Sequence, residues 1–261
     1  MAVELDDIVG ARKLLSPVAD GSGVRCVLFD FDGPICQLFP DDSSRPLADE
    51  VRKVMADFGV VDVLIGEERT GKDPHLLLRA ARRVRGAARG DLVRALEKCV
   101  TSGELKAVRR PAPLTPKADV LIRQLAGQGL LLAVVTNNSR IAADSYLRIR
   151  GLRRYFKVIH GRTTDLDLMK PHPDTLFRAL GDLGVPPTNA VMIGDTPTDV
   201  EAARSAGVRF IGYGRNELKR TRLRNADADI VLGEYAPLLD QAGERSAGGP
   251  GDRLVDETAC R

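Results

Sequence analysis

Two aspartates bracket an aromatic residue in Asp30-Phe31-Asp32-Gly33, and a second acidic pair stands in Gly194-Asp195-Thr196-Pro197-Thr198-Asp199. Residues two apart on an extended chain project to the same side, so Asp30 and Asp32 can act on one reacting group. Four carboxylates gathered at one place repel unless a cation neutralises them, and hard oxygen donors with water in the remaining positions suit Mg²⁺. Thr136-Asn137-Asn138 adds a hydroxyl and two amides, and Lys170 in Met169-Lys170-Pro171-His172-Pro173 adds an ammonium. One cation beside several anions invites a phosphoryl group, whose charge it would help to balance.

These residues are far apart in the chain, so the fold must bring them together. Each acidic or hydroxyl motif directly follows an apolar run of strand length: Arg25 to Asp30, Leu130 to Thr136, and Ala190 to Ile193. Continuous apolar runs bounded by turn signals read as strands buried on both faces, as in a parallel sheet. Val208 to Ile211 reads as a further strand, with weaker strands at Val158-Ile159 and Asp229 to Leu232. Segments 117–127, 139–150, 173–183 and 199–206 carry apolar residues at helical spacing, and the alternation predicts an α/β fold with a doubly wound parallel sheet. Such sheets bind ligands at the carboxyl ends of their strands, which is where the motifs fall.

The alternation breaks between the first strand and the helix at 117. Arg52 to Phe58, His75 to Val84 and Leu92 to Val108 have helical periodicity, and Pro- and Asp-rich loops flank them. The expected organisation is an N-terminal extension at 1–23, an α/β core at 24–35 and 115–240, an inserted helical domain at 36–114, and a disordered tail at 241–261. Residues 4–15 read as a short helix before a flexible joint at Gly21-Ser22-Gly23.

Composition limits the alternatives. Hydrophobic residues are 43% and charged residues 29%, which excludes fibrous and wholly disordered chains. With 39 basic against 36 acidic residues there is no general surplus for nucleic acid, and the arginine-rich run from Arg79 to Arg94 lacks interleaved aromatics. The four cysteines have no metal-like or disulfide-like spacing, and no apolar run is long enough to cross a bilayer, so the expected compartment is the cytoplasm. Oligomeric state has no signal here.

In these motifs and their order the chain resembles the haloacid dehalogenase-like superfamily, as a capped member related to phosphoglycolate phosphatase and β-phosphoglucomutase. The four motifs are Asp30-Phe31-Asp32-Gly33-Pro34, Thr136, Lys170-Pro171, and Gly194-Asp195 with Asp199. The resemblance implies that Asp30 is the nucleophile, Asp32 the general acid and base, and Thr136 with the Asn137 N–H a phosphate holder. It implies that Lys170 balances charge, that Gly33 lets the backbone turn close to the phosphate, and that the helical insert is a mobile cap. Mg²⁺ would be held by Asp30, the carbonyl of Asp32 and Asp195, with Asp199 behind them. The implied activity is Mg²⁺-dependent hydrolysis of a small phosphate ester, of the phosphoglycolate or sugar phosphate class, through an aspartyl-phosphate. A phosphomutase would use the same core, and a silent phosphometabolite-binding protein would keep the fold without turnover.

Pro34 departs from the family pattern and removes one amide beside the first motif. Thr198 with Glu201 reads as a capping box for the last helix of the series. In the insert, Lys72, His75, Arg79 and Arg83 are candidate substrate contacts, although each also reads as part of a solvated helix face. Cys36 reads as a packed small side chain and His172 as a loop residue.

Overall fold

The structure, a computed structural model, describes residues 2–16, 23–40, 43–86, 88–110 and 112–239. The expected tail at 241–261 and most of the Gly21-Ser22-Gly23 joint lie outside the described residues. Among the described residues, six parallel strands form one sheet in the order β3-β2-β1-β4-β5-β6. They are β1 (Cys26–Phe29), β2 (Leu131–Val135), β3 (Phe156–His160), β4 (Ala190–Gly194), β5 (Arg209–Tyr213) and β6 (Val231–Leu232). Every paired neighbour runs parallel.

The apolar runs are continuous because both faces of the sheet are covered. Val27 and Phe29 pack with Leu132, Val134, Val191 and Ile193 on one face, beneath α1 (Ala2–Leu15), α5 (Ala118–Gly127) and α6 (Arg140–Ile149). Cys26 and Leu28 pack with Ala133, Val135 and Met192 on the other, beneath α7 (Asp174–Leu183) and α8 (Pro197–Ala206). The chain leaves β1 towards β2 and β3, then crosses to β4 on the other side. Ligand crevices open where the winding direction reverses in this way. In register, Phe29 lies opposite both Val134 and Ile193, so Asp30, one residue on, and Thr136 and Asp195, two residues on, all emerge at the same sheet edge.

Between β1 and α5 the described chain is helical: α2 (Arg45–Asp57), α3 (Pro74–Ala80) and α4 (Arg89–Arg109), with short 3₁₀ turns. These elements share an apolar cluster that includes Val51, Met55, Leu77, Leu78 and Leu96 and closes on Leu166 and Met169 of the core. The two chain passages that join them to the sheet run side by side. Gln37 donates to Pro113 O at 3.0 Å, and Thr115 donates through its N–H to Ile35 O at 3.0 Å and through its hydroxyl to Gly33 O at 2.6 Å. The missing amide of Pro34 is not needed in this turn, which is closed by the N–H groups of Gly33, Ile35 and Cys36. Cys36 is fully buried, as expected for a packed side chain.

Two local expectations change. The helix starting at 197 is capped by Thr196 rather than Thr198, because Pro197 takes its first turn and the Asp199 carboxylate reaches back to the Thr196 N–H. A ninth helix among the described residues, α9 (Glu217–Asn225), was not apparent in a segment with only Leu218 and Leu223 as apolar residues. The N-terminal helix is part of the core: Ala11 and Leu15 are buried, and Arg12 Nε donates to Pro237 O at 2.7 Å. Deletion of residues 2–15 is therefore expected to lower thermal stability by about 2–3 kcal/mol. An unchanged melting temperature would contradict that packing.

Candidate active site

Asp30 follows β1 directly, and its N–H donates to Ile193 O at 2.9 Å, which fixes its backbone against β4. Lys170 arrives from the loop after β3 and is 2% exposed. Its ammonium donates to Asp30 Oδ1 at 2.8 Å, Asp199 Oδ1 at 2.6 Å and Val135 O at 3.1 Å. Asn137 holds the lysine backbone from both sides, accepting from its N–H at 2.8 Å and donating to its carbonyl at 3.1 Å. A buried cation with three acceptors, two at strand ends and one in the first turn of α8, is rigidly placed.

Asp199 uses both carboxylate oxygens. Oδ1 meets Lys170, while Oδ2 accepts from the N–H groups of Asp195 and Thr196 and from the Thr196 hydroxyl. Asp195 differs: Oδ2 pairs with Lys219 from α9, and Oδ1 is buried without a partner. Oxygens of Asp30, Asp195 and Asp199 lie within 4.8 Å of one another. Lys170 and Lys219 offset two of the four charges on Asp30, Asp32, Asp195 and Asp199, which leaves a surplus suited to a divalent cation. The orphaned Asp195 oxygen and the all-oxygen donor set fit a hard ion such as Mg²⁺. Lys219 had no sequence signal beyond Asn216 as a cap; the Asn216 side chain accepts from its N–H at 2.9 Å.

Burial pushes the Asp30 carboxyl up to about 6 against the pull of Lys170. It does the same for Asp195, up to about 6 against Lys219, and for Asp32, up to about 6 although the Leu38 N–H donates to Asp32 Oδ1 at 2.8 Å. Burial disfavours the Lys170 ammonium, but Asp199 and Asp30 outweigh it and hold its pKa above the usual lysine value.

Gly33 carries φ +122°, and a Cβ there would lie 2.2 Å from Asp195 Cγ. Gly33→Ala is expected to displace Asp195 and to cost about 2–3 kcal/mol through backbone strain and collision. Thermal unfolding with and without Mg²⁺ checks this; an alanine variant with wild-type stability and Mg²⁺ response would refute it.

Thr136, Asn137 and Asn138 line one wall of a cavity of about 570 Å³ whose floor is formed by Asp30, Lys170 and Asp195. The Thr136 hydroxyl donates to Asn138 Oδ1 at 2.9 Å. The helical insert adds His75 and Arg79 to the lining, which also includes Arg215 and Lys219. Of the insert candidates, these two reach the cavity because they are four apart on α3. Arg83 instead pairs with Glu68 and the Val63 carbonyl, and Lys72 is exposed. His172 stays a loop residue, its Nδ1 accepting from the Asp174 N–H at 3.2 Å.

A buried carboxylate beside the site carries no signal in the sequence. Glu104 on α4 is fully buried and accepts from Arg162, His75, Asn138 and the Ser139 N–H. Burial would raise its pKa, but Arg162 and His75 pull it down to about 2, from an ordinary 4.5. Burial also works against charge on His75, yet Glu104 raises that imidazole above its ordinary 6.5. A depressed carboxyl stabilises the fold above 4.5 and loses that contribution as pH falls towards 2; a raised histidine contributes below 6.5 and loses it as pH rises. Glu104→Gln is thus expected to cost about 3 kcal/mol near pH 5–6, and less at either extreme. Melting temperatures across pH measure this; a gap independent of pH would contradict the pairing.

A family model described as haloacid dehalogenase-like hydrolase matches residues 24–207. Phosphoglycolate phosphatase of Rhodospirillum rubrum is 31% identical over 239 residues, covering 88% of this chain and 95% of that protein. Phosphoglycolate phosphatase of Pectobacterium atrosepticum is 36% identical over 128 residues, 48% of this chain and 53% of that one. Among solved structures, CbbY from Rhodobacter sphaeroides in complex with phosphate superposes with a TM-score of 0.56 at 26% identity, over 84% of this chain and 98% of that chain. No described helix is long and apolar enough to cross a membrane.

Proposed function

The chain belongs to the haloacid dehalogenase-like hydrolase family and is a phosphatase, and on that premise we propose that it hydrolyses a small phosphate monoester with Mg²⁺ through an aspartyl-phosphate on Asp30. The observation that carries this reading is the Lys170 ammonium pinned between Asp30 and Asp199 beside an orphaned Asp195 oxygen. It leaves Asp30 as a nucleophile fixed in direction at the floor of the cavity.

Asp30 attacks phosphorus and Asp32 protonates the departing alkoxide; Asp32 then takes a proton from the water that cleaves the acyl phosphate, and Asp30 is regenerated. An Asp32 carboxyl near 6 holds a proton in part of the population near neutrality, as a group that must both give and take one requires. The Thr136 hydroxyl exchanges Asn138 for a phosphoryl oxygen, the Asn137 N–H holds another, and Lys170 offsets the charge shared by phosphate and Asp30. Asp30, the Asp32 carbonyl and Asp195 would hold Mg²⁺, with Asp199 fixing Lys170 and the loop behind them. The ion would supply charge neutralisation between nucleophile and phosphate.

Phosphoglycolate or a sugar phosphate is the substrate class; the relatives' names support phosphoglycolate, and the cavity has room for either small ester. The test is phosphate release from a panel of phosphorylated metabolites in Mg²⁺ and in EDTA. Metal-dependent turnover confined to one or two esters is expected. Binding without turnover across the panel would replace this reading with that of a silent binding protein.

A further inference from the structure

Glu104 has more partners than a simple ion pair would need. Its Oε1 accepts from Arg162 at 2.7 Å, His75 Nε2 at 2.9 Å and Asn138 Nδ2 at 3.1 Å, and its Oε2 accepts from the Ser139 N–H at 2.9 Å. Arg162, itself buried, also donates to Glu97 at 2.7 Å, Thr101 at 2.9 Å and Asn137 O at 3.0 Å. Glu97, Thr101 and Glu104 fall at i, i+4 and i+7, so one stripe of α4 grips a core arginine. Through these bonds a helix of the insert is tied to the Thr136–Ser139 loop of the core.

Two of the partners lead into the cavity. Asn138 gives its amide N–H to Glu104, so its carbonyl oxygen faces the Thr136 hydroxyl. His75 gives Nε2 to Glu104 and lines the same cavity as Thr136, as does Arg79, whose Nε is buried with no hydrogen-bond partner. A fully buried carboxylate thus bonds both the Thr136–Ser139 loop and His75 of the cavity lining.

We propose that Glu104 is a positioning residue that couples the seating of the helical insert to the active site, and that His75, held by it, contacts the leaving-group portion of the ester. The proposal rests on the phosphatase reading above. With Nε2 occupied, Nδ1 is the polar atom that His75 offers to the substrate, and the charge pairing with Glu104 keeps a proton available there. Asn138 and Ser139 transmit the Glu104 effect to the phosphoryl end, and His75 transmits it to the other end.

The test compares the wild-type protein with His75→Gln and Glu104→Gln in Mg²⁺, using 2-phosphoglycolate and p-nitrophenyl phosphate as substrates and inorganic phosphate as inhibitor. His75→Gln is expected to raise KM for 2-phosphoglycolate about tenfold, well beyond its effect on p-nitrophenyl phosphate or on the inhibition constant of phosphate. Glu104→Gln is expected to lower kcat roughly tenfold or more and to weaken inhibition by phosphate, because the loop that holds the phosphoryl group loosens. Equal effects of His75→Gln on both substrates, or a Glu104→Gln variant altered only in melting temperature, would overturn the proposal and leave the phosphatase reading intact. Absence of any hydrolysis by the wild type would overturn that reading itself.

Discussion

Asp30→Asn is expected to abolish turnover, with a fall in kcat of at least about 10⁴-fold, because on the proposed mechanism it removes the carboxylate oxygen that accepts the phosphoryl group. The substitution is nearly isosteric, so Lys170 keeps an oxygen to bond and the backbone keeps its contact with β4. Folding should not suffer. Asp30, Asp195 and Asp199 repel one another, and burial already works against the Asp30 charge, so a neutral side chain relieves strain in the metal-free protein. The expected result is a folded, phosphate-binding protein, at least as thermostable as wild type in EDTA, with no turnover. Acid quenching during turnover is expected to trap phosphate on the wild-type chain and none on the variant. Trapped phosphate on Asp30→Asn, or activity above about one part in a hundred, would remove Asp30 from its role.

The sheet and its strand-end residues were legible because the signals are local. Continuous apolar runs mark β1, β2 and β4, and the polar residue that ends each run is forced to the same sheet edge once the strands are parallel and in register. What escaped depends on long-range pairing. Glu104 sits among Glu97, Lys98 and Lys106, where an acidic residue on a helix reads as solvated; its burial follows only from Arg162, 58 positions away. Lys219 escaped for a related reason: α9 buries little beyond Leu223, so the helix that carries the lysine to Asp195 has almost no apolar stripe. The capping residue was misplaced because Thr196 and Thr198 each have an acidic residue three positions on, and only the placement of Pro197 in the first turn decides between them. His75 and Arg79 carry no mark in the sequence that separates them from Arg83; the direction in which α3 faces separates them.

Lys170→Met is expected to reduce kcat/KM by about 10³-fold, since on the proposed mechanism the lysine serves the reaction twice. It balances charge as the phosphoryl group approaches a carboxylate, and it keeps that carboxylate ionised. Burial has already brought Asp30 up to about 6 with Lys170 opposing it; without the ammonium the carboxyl rises further. A nucleophile must be deprotonated, so the acid limb of the pH–rate profile is expected to move to higher pH than in wild type. Stability should follow the same sign. At pH 7 the variant buries Asp30 and Asp199 without their shared cation, a loss of about 3–5 kcal/mol. As pH falls, protonation of Asp30 removes its repulsion with Asp199, so the gap in melting temperature to wild type should narrow towards pH 5. Mg²⁺ should narrow it too, by supplying positive charge to the same oxygens. A variant that keeps the wild-type acid limb and loses the same stability at every pH would show that Lys170 is only a packing element. Activity retained within about tenfold would show that the phosphoryl group is balanced by another cation, for which Lys219 and Arg215 are the candidates at the same cavity.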